Sequence, residues 1–225
     1  MGSSSAEQNE ARTVVKELGF TDADYNYWCQ IFKQKTLIAK IMGRCSYQIG
    51  EVAEKFTNLW AKKGGAKITE LGNNLYCVMF NDDYEYNRAL RKGPWIVGNG
   101  YVATEPWKPG FDPWKHKVSH VVVWARVHAL PLELFNTTFL HSVGDALGSA
   151  ICFDHSTLYR YEGRFARIGV RVNLEGYLEP SVRILGRDLM VEYEMLIVCF
   201  RCHHYGHIAS ECKEVLAGKG KGSTE

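Results

Sequence analysis

AKITELGNNLYCVMF, residues 66–80, reads as a β-hairpin. Two runs of strand length, Ala66 to Leu71 and Leu75 to Phe80, flank Gly72-Asn73-Asn74, which tolerate the left-handed backbone a tight turn needs. Outward from it, Leu37 to Met42 is another short apolar run, stopped at Gly43. Between the two, Ile49, Val52, Phe56, Leu59 and Trp60 recur at helical spacing, with Ser46 placed to cap the helix and Gly64-Gly65 to end it. After the hairpin, Asp82 or Asp83 opens a second helix that stops at Gly93-Pro94. Val97 to Trp107 follows as a strand, or as a small hairpin around Gly98-Asn99-Gly100. The order is β-α-β-β-α-β.

That order predicts an α+β chain whose first unit, residues 36–108, has the RRM or ferredoxin-like fold. Residues 1–35 form an N-terminal extension, polar and Ser-rich to residue 10 and helical in pattern from 11, with Trp28, Ile31 and Phe32 among its apolar contacts. Residues 108–116 carry turn chemistry and read as a linker. A second α+β unit spans 117–195: a strand at Val121 to Val127, a helix at Leu134 to Leu147 closed by Gly148, a short strand at Ala150 to Phe153, and strands at Phe165 to Asn173 and Ser181 to Tyr193, the last bent at Gly186. Two arrangements are open, a second RRM-like unit lacking its second helix or a sheet continuous with the first. The halves show no sequence repeat. Residues 213–225 are Gly/Lys-rich and read as a disordered tail.

With 225 residues and 46% hydrophobic content, the chain can bury a core, which excludes wholesale disorder. Lys plus Arg number 27 against 25 acidic residues, so a nucleic-acid site must be a local patch rather than a global field. No apolar run is long enough for a membrane span, and the N-terminus lacks a signal-peptide core. The expected setting is intracellular, nucleus or cytoplasm, with no membrane partner. Seven cysteines, an odd number, argue against a disulfide framework. Cys29, Cys45, Cys77 and Cys152 are scattered and read as small buried hydrophobes.

The other three fall in residues 199–212, CFRCHHYGHIASEC, with the spacing C-x2-C-x4-H-x4-C. Three thiolates and one imidazole fill a tetrahedral shell, so Cys199, Cys202, His207 and Cys212 predict one structural zinc with no open position for chemistry. His203 and His204 compete for the fourth place, but the spacing favours His207. A single-stranded nucleic acid is the expected partner: Phe200 and Ile208 offer an apolar cleft to an unpaired base, and Arg201 and Lys213 meet phosphates. Use of this segment for protein contact or assembly is the alternative, because the surrounding positive charge is thin.

Residues 199–212 resemble the zinc knuckle of retroviral and retrotransposon nucleocapsid proteins, in which the positions of Phe200 and Ile208 flank a base-stacking cleft; His203 stands where that family usually has Gly. The resemblance extends upstream through Gly-Asn-Asn-Leu at 72–75, Gly93-Pro94-Trp95, Trp107-Lys-Pro-Gly110, Leu130-Pro-Leu132, Gly148, Gly163-Arg-Phe-Ala-Arg167 and Val191-Glu-Tyr-Glu194. Over residues 35–213 the chain resembles the domain of unknown function that plant LINE-type retrotransposons place before a CCHC knuckle. That implies a Gag-like, RNA-packaging protein or its domesticated remnant, with RNA favoured and self-association left open.

The two β-rich units differ in promise. On an RNP1 alignment of Leu75 to Phe80, the stacking positions fall on Leu75 and Cys77, neither aromatic, so the first unit is expected to act as a scaffold with Lys62, Lys63 and Lys67 as a modest basic edge. In the second, a period of two places Phe165, Arg167 and Arg171 on one face of their strand, and Trp124 and Arg126 alternate with Val123, Ala125 and Val127. If these strands pair, arginines with interleaved aromatics share one sheet face, which suits phosphate contact and stacking; an ordinary solvated face is the other reading. No P-loop, nucleophile elbow, H-E-x-x-H or dinucleotide fingerprint is present, so neither catalysis nor a small-molecule substrate is expected.

Overall fold

The computed structural model describes residues 19–43 and 47–213. Thr21 and Asp24 form a reciprocal capping box that starts helix α1, Asp22–Lys33. The expected start of helix at residue 11 lies outside the described residues. Strand β1 (Thr36–Ile41), helix α2 (Ile49–Trp60), strands β2 (Ala66–Gly72) and β3 (Leu75–Phe80), helix α3 (Asp83–Arg91) and the hairpin β4 (Ile96–Val97) and β5 (Gly100–Pro106) complete the first unit. Gln48, not Ser46, occupies the capping position of α2; Ser46 lies outside the described residues. Of the two candidates for α3, Asp82 is the cap, accepting from the Glu85 amide at 2.8 Å.

The strands lie in the order β2-β3-β1-β5-β4, all neighbours antiparallel, which is the RRM arrangement with one short strand added at an edge. Period-two alternation divides the residues between two faces. Leu37, Ala39, Ile41, Tyr76, Val78 and Phe80 face α2 and α3, where Phe56 and Trp60 stack at 4.5 Å. On the other face Ile38, Leu75 and Cys77 are buried beneath Phe32, Trp107 and Phe111. The surface on which an RRM would stack bases is therefore covered by α1 and the linker. Lys62 and Lys67 remain exposed, and the turn beside them is fixed by the buried Glu85 carboxylate, which accepts from the Lys63 and Gly64 amides at 3.0 and 3.1 Å.

The second unit contains β6 (His120–His128), α4 (Thr137–Leu147), β7 (Ser149–Phe153), the short α5 (His155–Leu158), β8 (Phe165–Asn173), β9 (Ser181–Ile184) and β10 (Arg187–Tyr193). Its order, β7-β8-β6-β10-β9, repeats that of the first unit strand for strand. The two sheets are separate, and the second is an RRM-like unit without its second helix. Ser181 to Tyr193 is a hairpin turning at Leu185-Gly186 rather than one bent strand, since residues 184 and 187 pair across the turn. Ala166, Ile168, Val170 and Val172 are wholly buried against the α4 side. Among the described residues, no helix is long and apolar enough to cross a membrane.

The units share an interface. Tyr101 and Ala103 of β5 belong to the second core, and the Tyr101 hydroxyl accepts from the Trp124 amide at 3.1 Å. The Cys152 thiol donates to the Gly93 carbonyl at 3.2 Å. At the end of α4 the chain reverses so tightly that a Cβ on Gly148 would fall on the carbonyl oxygen of Arg171. Because the obstacle is backbone, Gly148→Ala is expected to cost about 3 kcal/mol. A lowered urea midpoint at unchanged slope would show this; a midpoint equal to wild type would mean the turn has room.

Candidate metal centre and nucleic-acid interface

The C-terminal segment folds by backbone bonding as much as by side chains. Val198 and Tyr205 form an isolated β-bridge. The Cys199 amide donates to the His204 carbonyl at 3.0 Å, and the His203 amide returns to the Cys199 carbonyl at 2.8 Å. Gly206, at φ +101°, takes a conformation that side chains disfavour and turns the chain toward His207. A short 3₁₀ turn, Ala209–Glu211, then delivers Cys212.

This path brings four ligand atoms, from Cys199, Cys202, His207 and Cys212, within 4.8 Å of one another. Cys199 and Cys212 are buried, and Cys202 Sγ lies 3.3 Å from His207 Nε2. The rival histidines are engaged elsewhere. His204 Nδ1 lies 2.8 Å from the Cys202 carbonyl, and the His203 ring meets Tyr177 edge-on at 5.3 Å. The thiols are not equivalent. Desolvation alone would raise the Cys199 thiol, yet the Cys202 and Arg201 amides directed at its sulfur lower it to about 6. Cys202 is pushed up, to about 11, first by desolvation and then by its sulfur neighbours. Crowded sulfurs with one already favoured as thiolate suit a cation, so the residues present can hold a metal ion.

The knuckle-like segment is docked, not tethered. The Leu178 amide donates to the His203 carbonyl at 2.9 Å, and Leu196, Val198 and Tyr205 pack against the core of the second unit. His203 holds φ +56°, a conformation that glycine would adopt freely, and these contacts hold it there. Between the segment and the sheet lies an apolar groove of about 350 Å³, lined by Leu178, Pro180, Met190, Leu196, Val198 and Phe200 among others. Phe200 is 82% exposed and Ile208 51%. Arg201 and Lys213 are also exposed.

The sheet residues expected to bind nucleic acid do converge. Arg126 lies opposite Arg167, and Trp124 opposite Gly169. Their charges, however, are met inside the protein. Arg167 donates to Glu194 at 2.7 and 2.9 Å and to Asp154 at 2.9 Å, with its guanidinium 4.1 Å from the centre of the Trp124 ring. Arg126 donates to Glu194 at 2.6 Å and lies 4.8 Å from the Phe165 ring centre. Arg171 donates to the Leu90 carbonyl at 3.2 Å, across to the first unit. Burial would raise the Glu194 carboxyl, but hydrogen bonds and charge from Arg167 and Arg126 outweigh it and hold it below 4.5. Asp154, desolvated but bonded to Ser156 and Arg167, is likewise lowered. The readable signal for this was Glu192, opposite Arg126 on β10, with Glu194 two residues on, just past the end of that strand.

The molecule is thus an α+β protein of two RRM-like sheets with a Cys3His cluster able to hold a metal ion docked on the second. Residues 33–115 match the family model described as a domain of unknown function, DUF4283. No curated protein matches the chain. Among solved structures, the N-terminal three RNA-binding domains of the yeast splicing factor Prp24 align at 12% identity with a TM-score of 0.28. That alignment covers 72% of this chain and 66% of that one, just under two thirds of its length.

Proposed function

We propose that the protein binds single-stranded nucleic acid, RNA rather than duplex, through a zinc-loaded knuckle at residues 199–212. The observation that carries this reading is the exposed Phe200, which follows the ligand Cys199 and lines the apolar groove, with Arg201 and Lys213 exposed in the same segment. An unpaired base needs an apolar face and a cation for its phosphate, and both are offered here. Zinc suits three thiolates and one imidazole, and the cluster's four donors leave no position for substrate, so the metal is assigned a structural role and the protein no catalysis. Arg126 and Arg167 are left out of the interface because Glu194 and Asp154 already meet their charges. With the resemblance of the upstream residues to plant LINE-element proteins, the reading is of a Gag-like, retrotransposon-derived protein acting in an intracellular ribonucleoprotein.

Phe200→Ala tests this without touching a ligand. Loss of one stacking face is expected to cost roughly 1–3 kcal/mol, about five- to 150-fold in affinity, with zinc still bound. Fluorescence anisotropy with short single strands and duplexes reads it. Equal affinity of wild type and variant for every strand would move the knuckle to the rival role of protein contact.

A further inference from the structure

We propose that the seam between the two units is a second contact surface for single-stranded nucleic acid, with Trp114 stacking an unpaired base and Lys92, Lys117 and Arg171 answering phosphates. This rests on the reading of the protein as a single-strand binder and adds a surface outside the knuckle. Of the large apolar side chains described, Trp114 is the most open, 92% exposed. It stands on an anchored turn. The Trp114 amide donates to Asp112 Oδ1 at 2.9 Å, and the Lys115 amide to the Asp112 carbonyl at 3.2 Å. On one side Phe111 packs on the first sheet, and the Gly110 amide donates to the Tyr25 hydroxyl at 3.0 Å. On the other, the His116 ring lies 5.0 Å from Phe111, with Nε2 2.5 Å from Glu105 Oε1. The chain is held on both sides of an indole that it leaves in solvent, so little ordering is left for a ligand that stacks there.

Charge selects the occupant. Lys108, Lys115 and Lys117 are exposed around the turn. The nearby carboxylates are taken up internally, Asp112 by the Trp114 amide and by Lys115 at 3.4 Å, Glu105 by His116. No ion pair engages Lys108 or Lys117 among the described residues. Three residues past Lys117, His120 lines a crevice between the units together with Lys92 from just past α3, Thr104 from β5 and Arg171 from β8, and no carboxylate lines it. Lys92 is exposed, and Arg171 gives its bond to a neutral carbonyl, that of Leu90, so both charges stand uncompensated. The crevice has about 10 Å³ of open space, room for roughly one water, so phosphates meet these cations at its mouth. Trp114 and His120 are six residues apart, at most about 22 Å between Cα atoms, so one strand reaches both. Uncompensated cations beside an open indole suit a phosphate backbone with unpaired bases, whereas an apolar protein surface would bury those charges unpaired.

Fluorescence anisotropy of the full chain with a labelled single-stranded RNA of about 16 nucleotides tests this at several salt concentrations. Trp114→Ala is expected to weaken binding about tenfold. Lys92→Gln combined with Lys117→Gln is expected to lower the slope of log affinity against log salt by about 1.4, roughly 0.7 for each phosphate contact. All three side chains are exposed, so circular dichroism should be unchanged. Phe200→Ala, measured in parallel, separates the two surfaces. Loss with both Trp114→Ala and Phe200→Ala supports both. Loss with Trp114→Ala but not with Phe200→Ala supports the seam and removes the knuckle from nucleic-acid binding. Loss with Phe200→Ala alone, at an unchanged salt slope in the lysine variant, overturns the seam and keeps the knuckle. Indifference to both substitutions, or a wild type that captures no strand, overturns both and leaves the indole to a protein partner.

Discussion

Replacing Arg167 with Gln is expected to destabilise the second unit by about 2 kcal/mol at neutral pH while leaving nucleic-acid affinity nearly unchanged. The guanidinium answers Glu194, whose side chain is only 11% exposed, and Asp154 at the start of α5. Removing it leaves two partly buried carboxylates with less compensation, a loss of about 3–5 kcal/mol for a fully buried pair and less here, where Arg167 retains some solvent. The pH dependence has a definite sign. Both carboxyls are lowered in the fold, so their stabilisation is present above their unfolded values of 4.5 and 3.8 and fades as pH falls through the lower folded values. The stability gap between wild type and Arg167→Gln should therefore be widest near neutrality and close in acid. Urea unfolding at several pH values measures it. A stable variant with weakened RNA binding would instead return Arg167 to the nucleic-acid surface.

Cys202→Ser is expected to abolish stoichiometric metal binding, because one of the four donors is lost and metal binding in isolated zinc-finger peptides, worth about 10–16 kcal/mol, needs the full set. The structural consequence should reach past the ligands. The Leu178 amide is held by the His203 carbonyl and the Gly206 amide by Ile197, so docking of the segment on the second unit depends on its own order. Hydrogen exchange should therefore accelerate at Leu178 and Gly206 in the variant or after chelation, while the Ala166 to Val172 strand, buried against α4, stays protected. Full metal occupancy in Cys202→Ser would remove this residue from the ligand set. Metal loss with unchanged exchange at Leu178 would show that docking is independent of loading.

Much of this was readable from the chain. Hydrophobic alternation and Gly72-Asn73-Asn74 were enough for the first sheet, because a slip of one residue would turn Tyr76, Val78 and Phe80 away from α2 and α3. The ligand spacing sufficed for the cluster, because its donors lie within fourteen residues and local turns bring them together. The second sheet was less legible. No helix stands between β8 and β9, where the first unit has α3, and Leu185-Gly186 reads equally well as a bend or a turn until β10 is seen beside β6.

What the sequence determined by itself is local: which residues alternate, where helices begin, and which four side chains can surround a cation. Tertiary structure alone decided the environment of those residues. Arg126, Arg167 and Trp124 share a face as their alternation predicts, but whether arginines bind phosphate depends on the charges across from them, and Glu194 arrives from 27 residues beyond Arg167. The same holds for the first sheet, whose open face is closed by α1 and by Trp107 from opposite ends of the unit. Electrostatic compensation and burial are pairwise properties of groups distant along the chain, and a period of two or 3.6 carries no information about what packs on the far side.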